Sequence, residues 1–341
     1  MMMGKVSNYS KETDRRHFLK TVAALTAMAY LPAFIPKTAR ADQWGGLLPT
    51  RRLGKTGLDV SMFCIGGGPY DYNVGSEERI LETALEGGCR FFETARSYSR
   101  GESEQAFGSV LEPYRKDIIL STKSRATDAE SVKRELEESL KSLKTDYLDI
   151  YLLHNMASIE DVDNRINNGV YEVFLEAKAQ GIVKHIGFSG HTHFEINNYL
   201  LDKDLPDMEV MLLPVNAIDP AYNSFILNTL PKAVDKNIGV MAMKALGGGG
   251  MTGADVAWGR GGRGTKRDRV IPDVISMKEA QQYVYSMPVA TVTYGCTTAE
   301  QVKEDIEYVK NFSKMSNTEQ SALVEKVASM NQDGVLEHYK S

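Results

Sequence analysis

Four polar side chains sit where apolar runs give out: Glu93 after RFF, Lys123 after DIILST, His154 after YLDIYLL, and Tyr98 five residues beyond Glu93 in FFETARSYSRGESE. An acid, an amine, an imidazole and a phenol at strand ends form a set with a definite chemistry. A phenol with an ordinary pKa near ~10 is a poor acid at neutral pH, but a neighbouring ammonium favours its phenolate. Lys123 supplies the ammonium, Glu93 pairs with Lys123 and holds it charged, and His154 donates a hydrogen bond that orients a substrate carbonyl oxygen. Tyr98 then protonates that oxygen as hydride reaches the carbon. No side chain donates hydride, so this reading requires a nicotinamide cofactor. The alternative is an interior Glu93–Lys123 ion pair with Tyr98 as a loop aromatic.

Such convergence needs a scaffold that brings strand ends to one place. From about residue 60, short apolar runs alternate with stretches of helical period: VSMFCIGGG, RFFETA, DIILSTK, YLDIYLLHN, KHIGFSG, VMLLPVN, GVMAMKAL and ATVTYG are eight strand candidates, most followed by a helical segment. Between them, Asp128 to Leu143 opens on a capping candidate and places Val132, Leu136, Leu140 and Leu143 on one stripe. Eight strand–helix repeats predict a (β/α)8 TIM barrel, whose chemistry lies at the carboxyl ends of its strands. An open dinucleotide sheet would show GxGxxG after its first strand, and IGGGP does not have that spacing. RRLGKTGLDVS predicts a hairpin, with Lys55, Thr56 and Gly57 at the turn, closing the other mouth; Thr318 to Met330 predicts an extra C-terminal helix outside the barrel.

The 341 residues, 42% hydrophobic and 25% charged, suffice for one large barrel. A net charge of -5 argues against a nucleic-acid partner. Cys64, Cys89 and Cys296 have neither disulfide nor metal-ligand spacing. Residues 1–41 differ in kind: Arg15 and Arg16 precede FLK, a short Pro-interrupted apolar run follows, and ARA ends at Ala41. This segment resembles a twin-arginine (Tat) export signal, although Asp14 stands where Ser or Thr is usual. The resemblance implies a bacterial protein exported folded to the periplasm by the Tat machinery, with no stable membrane insertion after processing; an uncleaved anchor or an amphipathic helix is the other reading. Residues 42–341 are then one barrel domain.

FETARSYSRGESEQAFG, ILSTK, DYLDIYLLH, HIGFSG and YGCTTAEQV together resemble the aldo-keto reductase family over about three quarters of the chain. The resemblance implies an NAD(P)H-dependent oxidoreductase of class 1.1.1 that reduces an aldehyde or ketone, with the family's Asp, Tyr, Lys and His falling on Glu93, Tyr98, Lys123 and His154. Glu93 departs from the pattern by one methylene. NADPH is the cofactor it implies, with NADH also open, because Gln301 and Gly295 stand where many members carry basic residues. By the same resemblance Ser189 meets the nicotinamide amide, with Gly190 in place of the customary Asn and Asn216 as a second polar partner. Lys244, Leu246 and Gly247 open a glycine-rich pyrophosphate loop. Gly295 and Thr297 precede an anion-favouring helix N-terminus, and Gln301 and Asp305 face the adenosine.

Arg260, Arg263, Lys266, Arg267 and Arg269 form a candidate phosphate lid, with Trp258 lining the substrate site, against the reading of a solvated loop. His191 and His193 lack a third ligand nearby, so no metal site is assigned. Two other functions compete with reduction: a sensor or accessory protein that binds cofactor with weak or no turnover, and a barrel isomerase or lyase without nicotinamide.

Overall fold

In this computed structural model the described residues are 35–37, 40–68, 77–252, 271 and 274–340. The twin arginines, the apolar run up to residue 34, Trp258 and the basic residues from Arg260 to Arg269 lie outside them.

All eight strand candidates are strands: β1 (Phe63–Gly66), β2 (Phe91–Glu93), β3 (Ile119–Ser124), β4 (Leu148–Leu153), β5 (Val183–Ser189), β6 (Met208–Pro214), β7 (Gly239–Met243) and β8 (Thr291–Tyr294). Each pairs in parallel with its neighbour in sequence, and β8 returns to β1, closing an eight-stranded barrel. The expected TIM-barrel class is the observed one. Helices follow the strands: α1 (Glu77–Glu86), α2 (Glu102–Leu111), α3 (Ala129–Ser142), the pair α4 (Ile159–Asn167) and α5 (Val170–Ala179), and α6 (Phe194–Asp202). After them come the short α7 (Phe225–Asn228) and α8 (Leu230–Asp235), then α9 (Met277–Ser286), α10 (Ala299–Lys310) and α11 (Asn317–Val327). The Asp128 carboxylate accepts from the Ser131 amide at 2.9 Å, which starts α3 as its sequence predicts. Among the described residues no helix is long and apolar enough to cross a membrane.

Strand periodicity sorts the core into two layers. Cys64, Phe91, Ile150, Leu152, Val210, Leu212 and Met241 fill the barrel interior, while Phe63, Phe92, Tyr151, Leu213 and Val240 face the helices. The amino-terminal mouth is closed by the expected hairpin, in which Thr50–Arg52 pairs antiparallel with Asp59–Ser61. Its Leu53 and Val60 join the interior cluster. Gly54 turns at φ 49°, and any Cβ there would strike the backbone of Gly239 at the start of β7. The hairpin is thus wedged against the strand bottoms, leaving the opposite mouth for chemistry.

Leu53 is fully buried in this plug. Leu53→Ala is expected to destabilise the fold by roughly 3 kcal/mol through lost burial and a residual cavity, read from the midpoint of urea unfolding.

Candidate active site

Register brings the four polar groups together. Glu93 ends β2 opposite Ser121 of β3, and Lys123 lies two residues further along the same strand face. The backbone continues this alignment beyond the strands: the Arg96 amide donates to the Lys123 carbonyl at 3.1 Å, and the His154 amide to the Ser124 carbonyl at 2.8 Å. Lys123 is 1% exposed and Glu93 3%, so both charges are buried inside the mouth.

The Lys123 ammonium has three N–H donors and meets three acceptors. It touches the Glu93 carboxylate through Oε1, donates to the Thr94 carbonyl at 2.7 Å, and donates to the Tyr98 hydroxyl at 3.1 Å. It also lies 4.5 Å from the Tyr98 ring centroid. Burial pushes the ammonium's pKa well below its ordinary value, with a smaller repulsion from Lys244. The carboxylate in contact with it opposes that push, because a buried charge with a partner at hand is far less costly than one without. The His154 ring meets the Tyr98 ring edge-on, with centroids 5.7 Å apart and planes at 88°. Burial, followed by repulsion from Lys123, holds the imidazole well below its usual range, so it stays neutral. Its Nδ1 is buried and has no hydrogen-bond partner among the described residues.

The segment carrying Tyr98 is tied down by residues that the sequence reading passed over. Thr94 Oγ1 and Ser103 Oγ are 2.6 Å apart, and Ser103 donates to the Gly67 carbonyl at 3.1 Å. Arg96 pairs with the wholly buried Glu104 at 3.0 Å, whose other oxygen accepts from Thr122 at 2.7 Å. Glu104 therefore bridges the Tyr98 loop to the strand of Lys123. Its signal in the sequence was an acid on the core-facing side of a helix. His154 has a comparable support: Arg165 donates to its carbonyl at 2.9 Å and pairs with Asp161 at 2.8 Å.

The cofactor candidates divide into two groups. Ser189 ends β5, buried, and among the described residues its hydroxyl makes one long bond of 3.4 Å to the Leu153 carbonyl. Lys244, Leu246 and Gly247 follow β7, and Gly295 and Thr297 follow β8, so these too stand at the carboxyl mouth. Three others make internal side-chain bonds. The Asn216 amide nitrogen donates to the Lys244 carbonyl, to Glu337 and to the Tyr339 hydroxyl, at 3.2, 3.0 and 3.0 Å. Its oxygen accepts from the Ile218 and Asp219 amides. Gln301 accepts from the Thr297 amide at 2.8 Å, and Asp305, fully buried, takes bonds from Gln281 at 2.5 Å and from the Cys296 thiol at 3.3 Å. The Asn216 and Asp305 side chains are thus held by protein partners in this arrangement. Gly190 also has a packing reason: a Cβ there would overlap Oδ1 of Asn197, whose amide donates to the Gly190 carbonyl at 3.2 Å. No group of three or more His, Cys, Asp or Glu that could hold a metal occurs among the described residues.

The sequence model of the aldo/keto reductase family matches residues 64–328. The chain belongs to the aldo/keto reductase family. It is accordingly an oxidoreductase. It is similar to the uncharacterized oxidoreductase YqkF of Bacillus subtilis, 26% identical over 299 residues, covering 80% of this chain and 94% of that one. Among solved structures it resembles the holo form of aldo-keto reductase AKR11C1 from Bacillus halodurans, with a TM-score of 0.66 and 24% identity over 82% of this chain and 96% of that one. An aldo-keto reductase from Klebsiella pneumoniae in complex with NADPH superposes with a TM-score of 0.61 at 19% identity, covering 79% of this chain and 92% of that one. At these identities the two solved structures speak for the fold.

Two outcomes follow from this geometry. Glu104→Ala removes the partner of Arg96 and is expected to cost roughly 3 kcal/mol of stability and to lower turnover, seen by urea unfolding and steady-state rates. The neutral imidazoles set a pH dependence as well: burial lowers His191 to about 3 and His154 well below its usual value. As pH falls below the unfolded histidine value of ~6.5, the unfolded chain takes up protons that the native state refuses, so stability is lost with falling pH. Unfolding free energies at pH 7.5 and 5.5 are expected to differ less in the His154→Gln/His191→Gln double variant than in the parent.

Proposed function

We propose that the protein reduces an aldehyde or ketone with NADPH, Tyr98 acting as general acid. The observation that carries this reading is the buried ammonium of Lys123 bound at once to Glu93, to the Thr94 carbonyl and to the Tyr98 hydroxyl. As Tyr98 yields its proton to a substrate oxygen, negative charge builds on the phenol oxygen, and an ammonium 3.1 Å away stabilises it there. Neutral His154, edge-on to Tyr98, has an N–H to direct at the same substrate oxygen. Glu93 keeps Lys123 ionised and in place. With one more methylene than the family's aspartate, it still reaches the ammonium, so the pairing survives the change.

The residues present fit a nicotinamide dinucleotide. Ser189 keeps hydrogen-bonding capacity beyond its one long bond. The turn after β7 runs through Gly247, Gly248 and Gly249 at φ 63°, 66° and 102°, a left-handed backbone without side chains of its own, with Lys244 before it. When bound, the group would supply the hydride that no side chain can. Ser189 would hold its amide end and the Lys244–Gly247 turn its phosphates. The NADPH complex of the Klebsiella relative supports the choice of nucleotide.

We also propose that the protein is exported folded by the twin-arginine route to the periplasm. Arg15 and Arg16 before an apolar run support this, as do cysteines 64, 89 and 296, all buried thiols of a fold that does not depend on disulfides.

Purified protein is expected to consume NADPH absorbance with a panel of aldehydes and quinones. Tyr98→Phe should lose at least ~100-fold in turnover while its NADPH dissociation constant stays within a few-fold. Glu93→Asp should preserve or raise turnover. Nucleotide binding without consumption in the parent, or undiminished reduction by Tyr98→Phe, would sink the mechanism. For export, replacing both Arg15 and Arg16 by Lys should retain the protein in the cytoplasmic fraction.

A further inference from the structure

Beyond α11 the chain turns back to the barrel's carboxyl mouth. Residues Asn331 to Lys340 lie across the loops that follow β6 and β7. Three charges fasten them there. The Lys340 ammonium donates to Asp219 at 2.7 Å, to Glu337 at 2.8 Å and to the Tyr222 carbonyl at 2.8 Å. All three charged side chains are 0% exposed. Asn331 donates to the Ile218 carbonyl at 3.1 Å and to Glu337 at 2.8 Å, and accepts from the Leu336 amide at 3.0 Å. The Tyr339 hydroxyl completes the set through Glu337 and Asn216.

This fastened segment bears on the glycine turn. The Leu336 carbonyl oxygen fills the space that a Cβ on Gly250 would take and would lie 3.2 Å from one on Gly247. The Tyr339 ring closes over Gly248, where a Cβ would sit 3.2 Å from it, with Lys244 Nζ 5.8 Å from its centroid. A run of glycines has no side chains to hold its shape and loses much conformational entropy when ordered. Within the turn only a few backbone bonds act, such as Gly247 to the Lys244 carbonyl at 2.8 Å and Gly249 to the Leu246 carbonyl at 3.0 Å. Among the described residues, the segment above it adds a further constraint, beside Ile218 and the bond from the Ile271 amide to the Met251 carbonyl. A buried ion triad adds little stability over an apolar contact of the same size, but loss of one member strands buried charge, so the segment holds its place only while all three are paired.

We propose that residues Asn331–Lys340 are a clamp that positions the Lys244–Thr252 turn for the phosphates of the dinucleotide, with Lys340 as its lock and Tyr339 as its contact. The inference rests on reading that turn as the cofactor's phosphate site. Lys340 and Tyr339 are positioning residues, and ordering the turn in advance spares the nucleotide that entropy on binding.

The test uses the full chain with Lys340→Met and, separately, Tyr339→Phe. Amide hydrogen exchange of residues 244–252 is followed without nucleotide, and NADPH affinity by fluorescence titration. For Lys340→Met, exchange in the turn and the NADPH dissociation constant should each rise at least tenfold. The KM for NADPH should follow, with kcat at saturating NADPH changing less than threefold. Tyr339→Phe, the milder change, should raise the dissociation constant at least threefold and serves if Lys340→Met fails to fold. Unchanged turn protection or unchanged affinity in a folded variant, even with a lowered melting temperature, overturns the clamp while leaving the proposed reduction intact. A parent protein that binds neither NADPH nor NADH overturns both.

Discussion

One buried ammonium organises the active mouth. Placing the Lys123 charge inside a barrel is costly unless each of its donors finds an acceptor, and the three acceptors come from one short stretch: the Glu93 carboxylate, the Thr94 carbonyl and the Tyr98 hydroxyl. Satisfying Lys123 therefore fixes how β2 ends, how the chain leaves it and where the phenol is held. The same contact sets an ammonium beside the phenol oxygen. A slip of one residue in the β2–β3 register would turn Lys123 toward the helices and leave Glu93 as an unpaired interior charge.

Around this core stands a ring of polar supports whose work is orientation. Glu104 ties Arg96 to Thr122, and Arg165 holds the backbone of His154. In the proposed reduction a general acid and a hydrogen-bond donor would share one substrate oxygen, where errors of an ångström are costly. Rigid strand ends supply the coarse placement and buried ion pairs the fine one. The clamp over the β7 turn applies the same device elsewhere: Lys340, Asp219 and Glu337 hold a segment whose backbone, through Leu336, shapes a stretch that cannot shape itself.

The glycine run after β7 shows how a residue type can have a second cause that the local sequence does not reveal. Read along the chain, GGGG suggests backbone amides free to approach a phosphate. In the fold, Gly250 is also required because the Leu336 carbonyl occupies the space of its missing side chain, and Gly190 because Asn197 occupies its own. Neither neighbour is visible locally. Asn216 and Asp305 teach the same lesson for polar residues: one follows a strand end and the other lies within the helix after β8, and each is bonded by partners distant in sequence that no local pattern reveals.

What the sequence alone determined was everything governed by period and residue type. Eight apolar runs spaced by amphipathic helices specify a closed parallel barrel, because alternation of side chains and the handedness of strand–helix–strand units leave few other packings. Acid, phenol, amine and imidazole at the ends of the second, third and fourth strands specify that their chemistry meets at one mouth. Only the tertiary structure decided which polar groups are available and which are spent, since Asn216 meets Glu337 across 121 positions and no local pattern encodes so distant a partner. Hydrogen-bond satisfaction in a buried site is a property of the packed whole.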